Sequence, residues 1–179
     1  PGAGAALAAQ SYFHRYGVTS KELAAVPIAF RKHASMNPYA IRREILTLDD
    51  YLNARFICEP FRLFDYCQVN DGGTCVIVTS AERAKSLKKK PVFVLGAGQA
   101  VAHPGMGTRD LTTIAAAQSS KKAFAESGVK HKDVDLLMAY DSFTITVLTT
   151  IENLGFVKKG EGGPFVAEGN LTLKGKLPT

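Results

Sequence analysis

The alternation of apolar and polar positions is clearest between residues 134 and 155. Residues 134–139 form a short, mostly apolar run, which predicts a buried β-strand. Tyr140 follows at the carboxyl end of this strand, an edge at which open α/β sheets bind ligands. After it, apolar residues recur at the spacing of one helix face, at Phe143, Val147, Leu148, Ile151 and Leu154. The pattern therefore predicts a strand, a short turn at Tyr140 and a helix.

The residues that flank the predicted helix fit its two ends. Asp141 or Ser142 can accept hydrogen bonds from the free N–H groups of the first turn, and Gly155 can end the helix. The pattern alone leaves two interpretations of Tyr140 open. It can cover a core strand with its hydroxyl in water, or it can contact a ligand at the strand end.

Helices are predicted across the first part of the chain. An alanine-rich helix covers residues 5–16. Thr19 or Ser20 caps a second helix, in which Pro27 predicts a kink or an early break. A short third helix follows over residues 48–54. These first seventy residues are predicted to form a helical, loop-rich appendage.

Strands and helices alternate in the second part of the chain, an order that predicts an α/β fold of packed layers. The tail beyond Gly155 is rich in glycine and has one weak strand, 171–173. The predicted strands are 74–79, 92–95 and 134–139, and the predicted helices are 80–87, one from Thr108 or Asp110 to Gly128, and the one that follows Tyr140.

The composition is that of a folded domain. The chain has 179 residues, of which 46% are hydrophobic, so it can bury a sizeable core. No apolar run approaches the roughly 20 residues of a membrane-spanning helix. The net charge of +6 permits a phosphate-bearing partner, but no nucleic-acid motif accompanies it. We therefore expect no membrane span and no nucleic-acid partner.

The cysteines and histidines indicate neither disulfides nor a metal site. Cys58, Cys67 and Cys75 are an odd number without the spacing of a disulfide framework. We expect them to be free, buried and unreactive in a reducing compartment, the cytoplasm. The four histidines are scattered and lack zinc-ligand spacing.

Short motifs follow one another in a specific order along the chain. They are Arg31–Lys32–His33–Ala34, Asn37–Pro38, Asp71–Gly72–Gly73, Cys75–Val76–Ile77–Val78, Ser80–Ala81–Glu82–Arg83–Ala84, Tyr140–Asp141–Ser142–Phe143, Gly155–Phe156 and Gly160–Glu161–Gly162–Gly163. Their order and spacing resemble the thiolase superfamily, and more closely its sterol-carrier-protein thiolase and lipid-transfer-protein branch. The resemblance implies the family's layered αβαβα fold, present here only in part, as the middle of a longer chain.

The resemblance also implies a division of the chain. Residues 1–70 are the loop-region helices and a connecting segment, 71–108 are the last strands and helix of the first thiolase half, and 109–179 begin the second half. The family's nucleophilic cysteine then lies upstream, and its Gly-His-Pro histidine and second catalytic cysteine lie downstream. His103–Pro104–Gly105–Met106 is similar to that histidine motif but precedes the central strand, so we interpret it as a turn.

Position 140 departs from the thiolases of this family. Degradative and biosynthetic thiolases have Asn-Glu at this strand end and sterol-carrier types have His-Asp, where the side chain helps to position a water that binds the thioester oxygen. Tyr140–Asp141–Ser142–Phe143 is instead similar to the thiolase-like aldolases that cleave steroid side chains as acyl-CoA thioesters. The resemblance implies that Tyr140 is the acid/base of a retro-aldol cleavage and that Asp141 and Ser142 hold the turn behind it.

Three functions remain open at this point. The leading one is retro-aldol cleavage of a β-hydroxyacyl-CoA. The alternatives are an acetyl-CoA acyltransferase and a non-catalytic subunit that binds lipid or a partner. The resemblance implies a coenzyme A thioester as substrate, no permanently bound cofactor, a homodimer, and a small partner with a zinc ribbon and an OB-like domain. We expect residues 1–179 alone to be inactive.

Overall fold

The computed structural model describes residues 2–102 and 110–179. Within these residues the regular structure is mostly helical, with one antiparallel hairpin between residues 56 and 62. The helices are α1 (Gly2–Tyr16), α2 (Ser20–Met36), α3 (Leu48–Asn53), α4 (Ala81–Ala84), α5 (Ala116–Ser127), α6 (Thr144–Asn153) and α7 (Gly162–Ala167), and the strands of the hairpin are β1 (Phe56–Cys58) and β2 (Phe61–Arg62).

The three N-terminal helices form where the sequence predicts them. Thr19 caps α2, and its backbone N–H donates to the Glu22 carboxylate at 2.9 Å, which completes a capping box. Thr47 and Asp50 form the same arrangement at the start of α3. Of the kink or early break predicted at Pro27, the early break is wrong, because α2 continues through Pro27 to Met36. The buried face of α2 packs against α6 and α7, and this packing offsets the backbone hydrogen bond that proline cannot make.

One hydrophobic core joins the two ends of the chain. Helices α1 and α2 pack directly against α6, and α2 also packs against α7. The first seventy residues are therefore not a separate appendage, and the boundaries at residues 70 and 108 stay a prediction. The core residues are Ala6, Ala9, Tyr12, Val18, Leu23, Val26, Ala29, Phe61, Ile145, Val147, Leu148, Ile151, Val166, Leu171 and Leu177.

A buried carboxylate ties α1, α6 and the turn before α7 together. Oε1 of Glu152 accepts hydrogen bonds from the Tyr12 hydroxyl and from the backbone N–H groups of Gly160 and Gly162, at 2.9 and 3.0 Å for the two glycines. Nζ of Lys159 lies 3.5 Å from the other oxygen. Burial and the contact with Glu152 raise the pKa of Tyr12. This carboxylate holds the glycine-rich tail, whose helix α7 the sequence did not predict, against the core.

The predicted strands 74–79, 92–95 and 171–173 are wrong for the part of the chain that the structure describes. A strand is defined by hydrogen bonds to a neighbouring strand, and no such neighbour pairs with these residues within 2–102 and 110–179. The apolar side chains of 74–79 and 92–95 face solvent, with Val78 87% exposed and Val92 96% exposed, whereas Leu171 of the third segment is buried in the core. Cys75 lies in the segment 74–79 and is exposed, so its predicted burial is also wrong.

The central segment 134–139 is also not a paired strand, but it contacts the core. Val134 and Leu137 are partly buried and pack against it. The backbone N–H of Leu137 donates to the carbonyl of Pro178 at 2.9 Å. Leu136 and Met138 face solvent. The segment is therefore half-buried instead of fully buried as predicted.

Helix α5 begins later than predicted. The Asp110 carboxylate accepts from the backbone N–H of Thr112 at 3.0 Å and from the hydroxyls of Thr112 and Thr113 at 2.7 and 2.8 Å. These local bonds compete with helix formation, so α5 starts only at Ala116. It ends at Gly128, whose φ of +68° is accessible to glycine at little cost, as predicted. The motif His103–Pro104–Gly105–Met106 lies outside the described residues.

We expect residues 1–179, purified alone, to self-associate. The apolar side chains of Val76, Val78, Val92 and Val94 are exposed, on segments that pair with no strand among the described residues, and such a surface drives association. Light scattering during size-exclusion chromatography measures the mass. Replacing the four valines with threonine should reduce association, whereas the same number of substitutions on exposed polar positions should not. A wild-type chain that stays monomeric across a wide concentration range would contradict the expectation.

Candidate active site

Helix α6 is a rigid base for the four residues that precede it. It begins at Thr144 and ends at Asn153, close to the predicted bounds, and Gly155 follows with a φ of +90°. A helix enclosed on most sides can hold a neighbouring functional group in place more firmly than a loop can. Its buried residues are Thr144, Ile145, Val147, Leu148, Thr149, Ile151 and Glu152.

Tyr140 lies four residues before α6, with its side chain at the surface. It is 74% exposed, and its hydroxyl has no hydrogen-bond partner among residues 2–102 and 110–179. Tyr140 was predicted at the turn between a buried strand and a helix. The helix is confirmed and begins four residues after Tyr140, but the buried strand is not formed. The hydroxyl is therefore free to contact a ligand that approaches this face.

Asp141 and Ser142 do not cap α6, so that prediction is wrong. The N-cap residue is Phe143, whose side chain makes no capping hydrogen bond. The Ser142 hydroxyl lies 3.2 Å from the hydroxyl of Thr146, and its carbonyl accepts from the backbone N–H of Cys67 at 3.2 Å. Asp141 faces a cavity instead. Neither side chain therefore accepts a hydrogen bond from the free N–H groups at the start of α6.

A short antiparallel contact connects residues 65–67 with residues 142–144, and we call it the 65–144 clamp. Its centre is an isolated β-bridge between Tyr66 and Phe143. The rings of Tyr66 and Phe143 meet edge to face with centroids 5.2 Å apart, and Phe61 stacks on Phe143 at 5.7 Å. Aromatic pairs in these geometries add to the stabilisation from apolar burial. The clamp therefore fixes the backbone immediately after Tyr140 and Asp141.

Asp65 supplies the polar part of the clamp. Its carboxylate is buried, with 1% of the residue exposed. It accepts from the Thr144 hydroxyl at 2.6 Å, from the backbone N–H of Arg62 at 2.7 Å, and from the Tyr51 hydroxyl at 2.8 and 2.9 Å to its two oxygens. Burial raises the pKa of Asp65, although the hydrogen bonds from Thr144, Arg62 and Tyr51 oppose the shift.

A cavity of about 690 Å³ opens beside the clamp. Its volume is within the range of small-molecule and cofactor sites. Residues of α2 contribute part of its apolar lining, and Asp65, Asp141 and Thr144 contribute polar groups. The cavity is lined by Val26, Pro27, Phe30, Arg31, Ala34, Tyr39, Ala40, Ile41, Arg42, Leu63, Phe64, Asp65, Tyr66, Cys67, Gln68, Asn70, Asp141 and Thr144.

Several known proteins are similar to this chain. Residues 98–179 match the family described as thiolase C-terminal domain-like. The chain is 37% identical over 183 residues to a steroid side-chain-cleaving aldolase of Thermomonospora curvata, and 37% identical over 190 residues to 17-hydroxy-3-oxo-4-pregnene-20-carboxyl-CoA lyase of Mycobacterium tuberculosis. These alignments cover 97% and 99% of this chain but 46% and 48% of the relatives. The chain thus spans about half the length of these curated relatives.

A solved structure, the Ltp2-ChsH2(DUF35) aldolase, superposes on the chain with a TM-score of 0.91 at 36% identity. The superposition covers 98% of this chain and 48% of that chain. The chain belongs to the thiolase superfamily. This confirms the partial thiolase-like α/β fold predicted from the sequence, even though the predicted strands have no pairing partners within residues 2–102 and 110–179.

The cysteines of this thiolase-superfamily chain are not placed as predicted. Cys67 is exposed and lines the cavity, Cys75 is exposed, and Cys58 is half-buried. Among the described residues, no group of three or more His, Cys, Asp or Glu side chains could hold a metal ion. None of the helices within 2–102 and 110–179 has the length and apolar character needed to cross a membrane.

The sequence analysis missed Asp65 and its partners Tyr51 and Thr144. A signal was present, because Asp65 is a single carboxylate between Phe64 and Tyr66 in an apolar, aromatic stretch. A charge in such a stretch is costly to bury unless it is hydrogen-bonded. Its partner Thr144 is 79 positions away, however, and no local pattern connects them.

Proposed function

We propose that this chain carries part of the active site of a thiolase-superfamily lyase that cleaves a β-hydroxyacyl-CoA by a retro-aldol reaction, with a steroid-type ring system on the side chain. The observation that carries the proposal is the exposed side chain of Tyr140, four residues before the rigid helix α6; Asp141, the next residue in the chain, lines the cavity, and Tyr140 itself is not among the lining residues. The names of the two relatives, an aldolase and a carboxyl-CoA lyase, support it.

The proposed reaction needs one residue that accepts and returns a proton. Tyr140, as the phenolate, takes the proton from the β-hydroxyl group. The bond between the α- and β-carbons then breaks, the β-carbon becomes a ketone, and the electron pair forms the enolate of the thioester. The proton returns to the α-carbon, so that the products are a ketone and a shorter acyl-CoA. Atoms and charges balance without a cysteine nucleophile or any further reactant.

The lining of the cavity is chemically suited to an acyl-CoA. Val26, Pro27 and Phe30 provide an apolar wall for methylene groups or a ring system. Arg31 and Arg42 lie at the same cavity, and guanidinium groups bind phosphate oxygens well. Arg31 is already paired with Glu44 at 3.3 Å, which leaves Arg42 as the better candidate for a coenzyme A phosphate.

We further propose that the complete protein works as an assembly. The solved aldolase to which the chain is similar is named as Ltp2 together with ChsH2. For this chain we propose a homodimer and a small partner subunit with a zinc ribbon and an OB-like domain. The division at residues 70 and 108 into loop region, end of the first thiolase half and start of the second is part of the same proposal.

The reaction class can be tested with two substrates in parallel. The complete protein with its partner receives a β-hydroxyacyl-CoA with a bulky ring substituent, without free coenzyme A, and separately the corresponding β-ketoacyl-CoA with free coenzyme A. We expect the first to yield a ketone and a shorter acyl-CoA, detected by mass spectrometry. Cleavage of the second alone would instead indicate an acyltransferase. Tight binding of both without turnover would indicate a lipid-binding or partner-binding subunit. Either result would overturn the proposal.

A further inference from the structure

Asp65 is a buried charged group for which the proposed reaction has no direct use. Its carboxylate does not need to touch the substrate, and its donors come from two different parts of the chain. Tyr51 belongs to α3 and the backbone N–H of Arg62 to β2, both in the early part of the chain. Thr144 is the first residue of α6. Asp65 therefore joins the early part of the chain to the helix that follows Tyr140.

Tyr140 lies between two anchors of the backbone. Before it, the N–H of Leu137 donates to the carbonyl of Pro178 at 2.9 Å. After it comes the 65–144 clamp, in which Cys67 N–H donates to Ser142 at 3.2 Å and Asp65 accepts from Thr144 at 2.6 Å. The side chain of Tyr140 is exposed and makes no hydrogen bond within the described residues. These anchors fix the backbone from which the Tyr140 side chain extends.

We propose that Asp65 is a positioning residue for Tyr140: through the Thr144 hydroxyl, Asp65 fixes the start of α6 and thereby the backbone from which the Tyr140 side chain extends. The inference rests on the proposed function, since it gives Tyr140 the role of acid/base. A misplacement of a reacting group by about 1 Å can cost on the order of 100-fold in rate. A buried hydrogen bond four residues away is a direct means of preventing such a shift.

The donors to Asp65 provide a matched pair of variants. Thr144→Val and Tyr51→Phe each remove one hydroxyl donor from the same carboxylate and leave the shape of the side chain nearly unchanged. Only Thr144 connects Asp65 with α6. If Asp65 merely stabilises the fold, the two variants should behave alike in every assay. If it positions Tyr140, they should differ in turnover.

The test uses the complete protein with its partner and the β-hydroxyacyl-CoA substrate. We expect Thr144→Val to lower kcat about 10-fold to 100-fold with KM nearly unchanged, and Thr144→Ser, which keeps the hydroxyl, to restore turnover. Tyr51→Phe should shift the urea midpoint by a similar amount but leave kcat close to the wild-type value. Asp65→Asn, which keeps the side-chain volume, should show the same loss of kcat as Thr144→Val. If Thr144→Val does not fold, Asp65→Asn takes its place in the test.

The same substitutions in a Tyr140→Phe background decide whether the effect passes through the tyrosine. We expect Thr144→Val to cause no further loss of kcat there, because the group that it positions is already absent. Three results would each overturn the inference. The first is an unchanged kcat in Thr144→Val and Asp65→Asn, and the second is a loss of kcat in Tyr51→Phe equal to that in Thr144→Val. The third is a full additional loss of kcat when Thr144→Val is combined with Tyr140→Phe. If Tyr140→Phe alone turns over like the wild type, the proposed role of Tyr140 fails, and that result is distinguishable from all of these.

Discussion

Replacing Tyr140 with phenylalanine is expected to lower kcat for acyl-CoA cleavage by about 10²–10⁴-fold, the usual contribution of a positioned proton-transfer group. The substitution keeps the ring and removes only the hydroxyl. Because the side chain is 74% exposed, the free energy of unfolding should hardly change. Substrate affinity should also be close to the wild-type value. Steady-state kinetics of the complete protein with its partner, together with urea denaturation, measure the three quantities.

A second tyrosine of the same chain provides the control for this prediction. Tyr16 lies at the end of α1, where its ring packs against Tyr12 with centroids 4.8 Å apart. It does not line the cavity, so Tyr16→Phe should leave kcat unchanged. Turnover by Tyr140→Phe at the wild-type rate would remove Tyr140 from the mechanism. It would also bring the acyltransferase and the non-catalytic subunit back as the leading alternatives.

The second large effect concerns stability. Replacing Glu152 with leucine is expected to reduce the free energy of unfolding by about 3–5 kcal/mol, because breaking a buried polar network leaves its partners unpaired. The Tyr12 hydroxyl and the N–H groups of Gly160 and Gly162 would lose their acceptor. This is a large part of the roughly 5–15 kcal/mol that stabilises a typical domain. Urea denaturation followed by circular dichroism measures the change.

Glu161 provides the matched control, since it is a carboxylate in the same turn but is exposed. Glu161→Leu should change the free energy of unfolding by less than about 0.5 kcal/mol, as is usual for surface positions. Tyr12→Phe removes only one donor to Glu152 and should cost about 1 kcal/mol. If Glu152→Leu is no more destabilising than Glu161→Leu, the network around Glu152 does not hold the tail to the core.

Helices α1, α2, α3 and α6 were predictable because their signals are local. A capping threonine with a carboxylate three residues later marks the starts of α2 and α3. The apolar spacing of α6 identifies its buried face without knowledge of what covers it. Gly128 and Gly155 mark helix ends because both have positive φ, which glycine adopts at little cost.

The strands and the polar network were less predictable because they depend on distant residues. The apolar runs 74–79 and 92–95 have the composition of strands, but a strand also requires a neighbour, and within the described residues none pairs with them. Helix α7 was missed because its glycines suggest a turn. It is held by contacts with α2 and α6 and by hydrogen bonds to Glu152, not by its own propensity.

The sequence by itself determined helices α1, α2, α3 and α6 and the position of Tyr140 before α6, because each depends on residues that are near in the chain. Its ordered motifs also determined membership of the thiolase superfamily. Only the tertiary structure decided which polar groups meet. Asp65 reaches Thr144 across 79 positions, and Glu152 reaches Tyr12 across 140. Such contacts form only when the helices pack around one core. Which polar side chains meet therefore depends on the packing of the whole chain.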